Sequence, residues 1–418
     1  MKAERIAVVL VLCLLSMTLS AQRFVTQSEA KTAAIHYMSQ RFGSQQYAKD
    51  KVLAVHELKK NGHTLIYEVL FDNNTSVLLS GVKSCKAIVG YRFKTGGVSV
   101  LNQSEEVVSP GMNIFLEKCC VQITYAIEQL EHKNWESSEW KSLLKPTMGE
   151  IASSKGGVYG PLMTSAWGQT RAYPKVCDGY NYYVKETVSQ CKCSSISKCP
   201  AGCVAVAMGQ IMRYWQYPLK SPYTGENYDW SNMTDTLKAH SPHFEKERKA
   251  IARLLRDCGE SAEMQYCYAP KRYGCQSFAW PMKACDGFVN KFDYSSGAER
   301  KLRSSTSTKS WKAMIIDNVK RGFPVLYASA SLNVKDFAEC GHAYVCDGYN
   351  EQTDMFHFNW GYDGEANGWY TLDNLVIRLS KQLYNWNHFE RMIINIYPSY
   401  LENVKDDMFD VRVVENKQ

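Results

Sequence analysis

The chain has 418 residues, enough for two or three domains, and its 45% hydrophobic and 12% aromatic content is that of a globular protein with sizeable cores. Its net charge of +7 is spread thinly over that length, with no Lys/Arg block, so a nucleic-acid footprint is not expected. The first element is an address. Lys2 and Arg5 precede an apolar run over residues 6–15, and small residues follow to Ala21, with cleavage expected after Ser20 or Ala21. That run is too short to span a bilayer, so the reading is a cleaved leader over 1–21, an exported chain and no membrane span.

Residues 22 to about 150 read as a separate unit. Thr26-Gln27-Ser28-Glu29 is a capping-box pattern that opens a helix to about Arg41. Short β-like runs follow at 52–57, 64–71, 76–79 and 87–93, separated by turns such as Asn61-Gly62 and Asn73-Asn74. Residues 112–131 read as helical. The polar stretch from His132 to Gly157 reads largely as an exposed connector, a natural place for proteolytic nicking. No motif of known chemistry appears in this unit, and its three cysteines (Cys85, Cys119, Cys120) cannot all pair internally.

After Val158 the texture changes to Tyr, Trp and Cys with many Gly turns, which reads as an α+β domain. Export permits disulfides, and eleven of the 15 cysteines lie beyond residue 150. If one is a free nucleophile, ten remain, compatible with up to five bridges. Cys191, Cys193 and Cys199 match no common paired-ligand spacing, so disulfides are expected and a metal is not.

Cys203 follows Pro200-Ala201-Gly202 and leads into Val204, Ala207, Met208, Ile211 and Trp215, one face of a helix that Pro218 stops. A thiol in the first turn feels the positive end of the helix dipole and unpaired N–H groups, both of which favour thiolate. Taken alone, such a Cys is more often buried or bridged. A nucleophile also needs an oriented base. His342 stands after Gly341 at the mouth of the strand Ala343-Tyr344-Val345-Cys346-Asp347. The next strand, Met355-Phe356-His357-Phe358-Asn359-Trp360, should pair with it as an antiparallel hairpin. Asn359 would then orient His342, Trp360 would cover the contact, and His357, two residues from Asn359, is the rival base. Oxyanion donors would be the Cys203 backbone N–H and the Gln169 amide of Trp167-Gly168-Gln169.

Those three stretches, Trp167-Gly168-Gln169, the Gly202-to-Pro218 segment around Cys203, and Gly341-His342-Ala343 with Phe358-Asn359-Trp360-Gly361, resemble the streptopain family of cysteine peptidases in order and spacing across 160 to about 400. The unit before them resembles that family's propeptide, through Val25-Thr26…Glu29-Ala30 and Leu78-Leu79-Ser80-Gly81…Ile88-Val89-Gly90-Tyr91. The resemblance implies an α+β papain-like peptidase domain over 153–418 preceded by an inhibitory α+β propeptide over 22–152. It implies Cys203 as nucleophile, His342 as proton acceptor, Gln169 as oxyanion donor, Asn359 and Trp360 as support for the histidine, and Gly341 as a substrate contact. Its partners would be protein or peptide substrates and its own propeptide, with no cofactor. Two departures stand out. Gly274-Cys275 occupies a cleft position where the family often shows Gly-Ser, and the cysteines are far more numerous than in the family's best-known member. Cys203 is the one cysteine expected to stay unpaired. A silent binding protein on the same fold, or a Cys-His amidase or acyltransferase, remain the alternatives at this point.

Overall fold

The computed structural model describes residues 23–101, 109–129, 136–145, 156–170, 178–185, 198–267, 276–331, 341–372, 375 and 389–402. The expected leader, the boundary at 152–153 and Cys275 lie outside the described residues. In chain order the elements are α1 (Gln27–Phe42), β1 (Val52–Lys60), β2 (His63–Phe71), β3 (Ser76–Ser80), β4 (Ile88–Arg92), α2 (Pro110–Gln129), α3 (Ser138–Leu144) and β5 (Val158–Tyr159). There follow α4 (Cys203–Trp215), α5 (Phe244–Ser261), α6 (Lys283–Asn290), β6 (Glu299–Leu302), α7 (Thr308–Lys320), β7 (Val325–Ala330), β8 (Gly341–Asn350), β9 (Met355–Asn359), β10 (Gly368–Tyr370) and β11 (Arg391–Ile394). They divide into two compact units. The first takes Met1–Val107, Leu116–Ser154 and Gly368–Trp386, and the second takes Val108–Phe115, Lys155–Asn367 and Asn387–Gln418.

The first unit holds an antiparallel sheet in the order β1-β2-β3-β4-β10. Its capping box forms: Glu29 N–H donates to Thr26 Oγ1 at 3.2 Å, and Thr26 N–H to Glu29 Oε2 at 2.8 Å. Helix α1 buries Ala30, Ala33, Ala34, Tyr37 and Met38, the i, i+3, i+4, i+7, i+8 stripe of an amphipathic helix. The carboxylate of Glu68, fully buried, accepts from Arg92 at 2.5 Å, Ser99 Oγ at 2.6 Å and Val100 N–H at 2.8 Å. A buried charge survives because both oxygens are hydrogen-bonded and one is paired with a guanidinium.

The stretch after His132 departs from the expected connector, because part of it folds as α3. Ser137 caps that helix by accepting from Trp140 N–H. Trp140 and Leu143 are buried, and the Trp140 indole donates to Ser80 Oγ at 3.3 Å. Two apolar side chains three residues apart dock these roughly two turns of helix.

The second unit holds the sheet β9-β8-β7-β11-β6, with β5 on β8. Helix α4 packs against both α5 and β8 and is buried all round from Val204 to Met212, rather than on the single face its spacing suggests. That makes it the unit's central helix, a position an almost wholly apolar segment fits. Cys199 is bonded to Cys267. Cys258, Cys285 and Cys346 are free and buried, which corrects the expectation that Cys203 alone stays unpaired. These thiols behave as small hydrophobes; the Cys258 sulfur lies 3.5 Å from that of Met212 in the core.

Candidate active site

Cys203 is the first residue of α4, and the loop before it is held on three sides. Gly202, at φ 91°, turns the chain into the helix in a region closed to most side chains, and Met264 already occupies the space a Cβ would need. Ala201 N–H donates to Gln169 O at 2.9 Å, which sets Gln169 beside the start of the Cys203 helix. Ser277 Oγ donates to Pro200 O at 2.6 Å, and the Cys199–Cys267 bridge fastens the same stretch. Burial pushes the Cys203 thiol up, while backbone N–H groups of Ala343, Val204 and Cys203 itself pull the other way. One of those donors, Ala343, adjoins His342 in β8.

His342 pairs with Ser329 across β7 and β8 and is only 2% exposed. Its Nε2 lies 2.7 Å from the Trp360 carbonyl oxygen. A carbonyl only accepts, so Nε2 carries the proton and Nδ1 is left as the accepting nitrogen. Burial lowers His342 to about 4, against the smaller opposing effect of that carbonyl. The carbonyl is itself pinned, because Trp360 donates its backbone N–H to Asn367 Oδ1 at 3.0 Å and its indole N–H to Ala366 O at 2.8 Å.

The hairpin of β8 and β9 forms with Val345 opposite Asn359. The Asn359 amide faces elsewhere than the imidazole. Its Nδ2 donates to Ser165 O at 2.6 Å and to Gln210 Oε1 at 3.2 Å, and its Oδ1 accepts from Gln210 Nε2 and Gly361 N–H, each at 3.2 Å. The rival base, His357, is paired through Nδ1 with the buried Asp347 carboxylate at 2.6 Å. Gly341 opens β8, partly exposed, opposite Ala330.

Two residues at this site were missed from the sequence. Gln210 is one, the fully buried polar side chain in α4; a lone amide seven residues after Cys203, in an apolar run, was the available signal. Gly111 is the other. Helix α2 begins at Pro110, and a Cβ added at Gly111 would lie 2.6 Å from Trp360 Cε3 and 2.8 Å from His342 Cδ2. Phe115, one turn on, has its ring 6.3 Å from that of Trp360. Residues 109–115 thus lie against the histidine and its tryptophan within the second unit. With the thiol raised and the imidazole lowered, this arrangement favours the neutral pair over thiolate and imidazolium. Among the described residues, no group of three or more His, Cys, Asp or Glu could hold a metal ion. Nor is any helix among them long and apolar enough to cross a membrane.

Residues 179–370 match the model of the Peptidase C10 family. Streptopain of Streptococcus pyogenes is 26% identical over 329 residues, 72% of this chain and 71% of its own. These matches support a streptopain-like cysteine peptidase. The thiol protease/hemagglutinin PrtT of Porphyromonas gingivalis is 34% identical over 193 residues, 42% of this peptidase, which spans 20% of PrtT's length. A fragment of prointerpain A from Prevotella intermedia shares its fold, with a TM-score of 0.58 at 23% identity over 83% of this peptidase and 99% of the fragment. The fold is therefore the mixed α+β one of that fragment.

Proposed function

We propose that the protein is an exported endopeptidase, made as an inactive zymogen, that cleaves protein or peptide substrates through a Cys203 acyl-enzyme. The observation that carries this reading is the meeting of Cys203, at a helix start among three N–H donors, with the strand that bears His342. The Cys203 thiolate attacks the scissile carbonyl, and the oxyanion is held by the Cys203 N–H and the Gln169 amide. The His342 imidazolium protonates the leaving amine and then, as a neutral base, activates the water that releases the acyl group. The Trp360 carbonyl holds the imidazole with Nδ1 as its reactive nitrogen. Asn359 supports that turn, and Gly341 lines the substrate path.

Residues 22–152 act as the inhibitory propeptide, and their segment 109–115 keeps His342 neutral and covered until the chain is cut near residues 145–155. The leader pattern over 1–21 supports export. Casein hydrolysis by the processed protein tests the mechanism: Cys203→Ala and His342→Ala should each abolish it. Persistent cleavage by the Cys203→Ala protein would sink the reading, and full activity of uncleaved 22–418 would sink the zymogen part.

A further inference from the structure

We propose that Gln210 is a positioning residue that couples the oxyanion loop and the histidine's carbonyl partner to the nucleophile helix through one buried amide pair. The inference rests on the Cys203–His342 reading above. Gln210 is fully buried while its helix neighbours Gly209 and Ile211 and the preceding residues back to Val204 are apolar. Packing alone would be served by Met or Leu at that place, and a buried amide is tolerated only when its polar atoms are used. Here they are. Gln210 Oε1 accepts from Trp167 N–H at 3.0 Å and from Asn359 Nδ2 at 3.2 Å, and its Nε2 donates to Asn359 Oδ1 at 3.2 Å.

The two segments it holds are those that carry the chemistry. Trp167 is two residues before Gln169, whose carbonyl takes the Ala201 N–H just before the nucleophile. Asn359 and Gly361, joined by their own 3.2 Å bond, flank Trp360, whose carbonyl lies 2.7 Å from His342 Nε2. Gln210 stands two helical turns below Cys203. A single side chain on the nucleophile's helix therefore sets the register of the oxyanion donor and of the histidine at once. Gln presents an oxygen acceptor and an NH2 donor together, whereas a Glu carboxylate only accepts and Met offers no donor.

The test uses the processed protein and a peptide substrate, with active sites counted by titration. Gln210→Glu and the core-compatible Gln210→Met should each lower kcat by about ten- to a hundredfold, the scale of an ångström's misplacement, while KM changes by less than about twofold. The alkaline limb of the pH profile should move to lower pH, because the carbonyl that favours imidazolium is no longer held in place. Asn318→Leu is the control. Asn318 is equally buried, and its amide donates to Met314 O and accepts from Asn395 N–H. This variant should lose melting temperature but keep kcat per titrated site and the pH profile. A Gln210→Met or Gln210→Glu protein with kcat and pH limbs like those of Asn318→Leu overturns the proposal. Activity surviving in Cys203→Ala would instead overturn the peptidase reading beneath it.

Discussion

Acid should loosen the uncleaved chain through His342. Its imidazole is held near 4 by burial, against an ordinary 6.5. A histidine lowered by folding leaves the unfolded chain with more bound protons as pH falls. The stability it contributes is therefore intact above 6.5 and is lost progressively as pH drops from 6.5 to about 4. At about 1.36 kcal/mol per pH unit, that gap is worth about 3 kcal/mol in full, of which about 2 kcal/mol should disappear between pH 7 and pH 4.5. The assay uses the uncleaved Cys203→Ala chain beside Cys203→Ala/His342→Gln. Histidine ring NMR should show a resonance titrating near 4 that is missing from the double variant. Urea unfolding should show the extra loss of about 2 kcal/mol only where His342 is present. A His342 ring that titrates near 6.5 in the uncleaved chain, or parallel pH curves for the two proteins, would refute the reasoning.

Two further outcomes follow from the same contacts. Gly111→Val places atoms within 3 Å of two buried rings, an overpacking that costs about 1–3 kcal/mol, so the uncleaved chain should be alkylated at Cys203 about five- to a hundredfold faster than wild type; an unchanged rate argues that residues 109–115 do not guard the site. Cys199→Ala/Cys267→Ala removes the bridge beside the nucleophile loop and should lower stability by roughly 2–5 kcal/mol in thermal melts while also reducing kcat, whereas equal melting temperatures would show the bridge to be idle.

What could be read from the residues was what local pattern encodes. The capping box of α1, the helix opened by Cys203 and the β8–β9 hairpin each depend on neighbours within a few positions, and each formed where the spacing put it. The Trp-Gly-Gln and Gly-His stretches were legible for a different reason, since their meaning came from resemblance and not from periodicity. Helix α3 was missed because Trp140 and Leu143 sit in a polar stretch and gain their burial from β3 and its neighbours, far off in sequence. The histidine's partner was half legible: Asn359 and Trp360 were both candidates, and the carbonyl that meets the ring belongs to the backbone of Trp360. Gln210 acts across 43 and 149 residues and Gly111 across still more, and a single amide or glycine in a helical run carries no local mark of that. Cysteine parity misled because buried free thiols such as Cys258 and Cys346 pack as apolar groups, and counting cannot tell them from bridge-formers.

The measurement closest to the central claim is peptide mapping of the processed protein after limiting iodoacetamide, with residual casein hydrolysis read on the same samples. Cys258, Cys285 and Cys346 are buried, so the label should appear on Cys203 alone among the described free cysteines, and activity should fall in proportion to it, reaching zero at one label per chain. Full hydrolysis with Cys203 completely alkylated, or inactivation that tracks a different cysteine, would contradict the account.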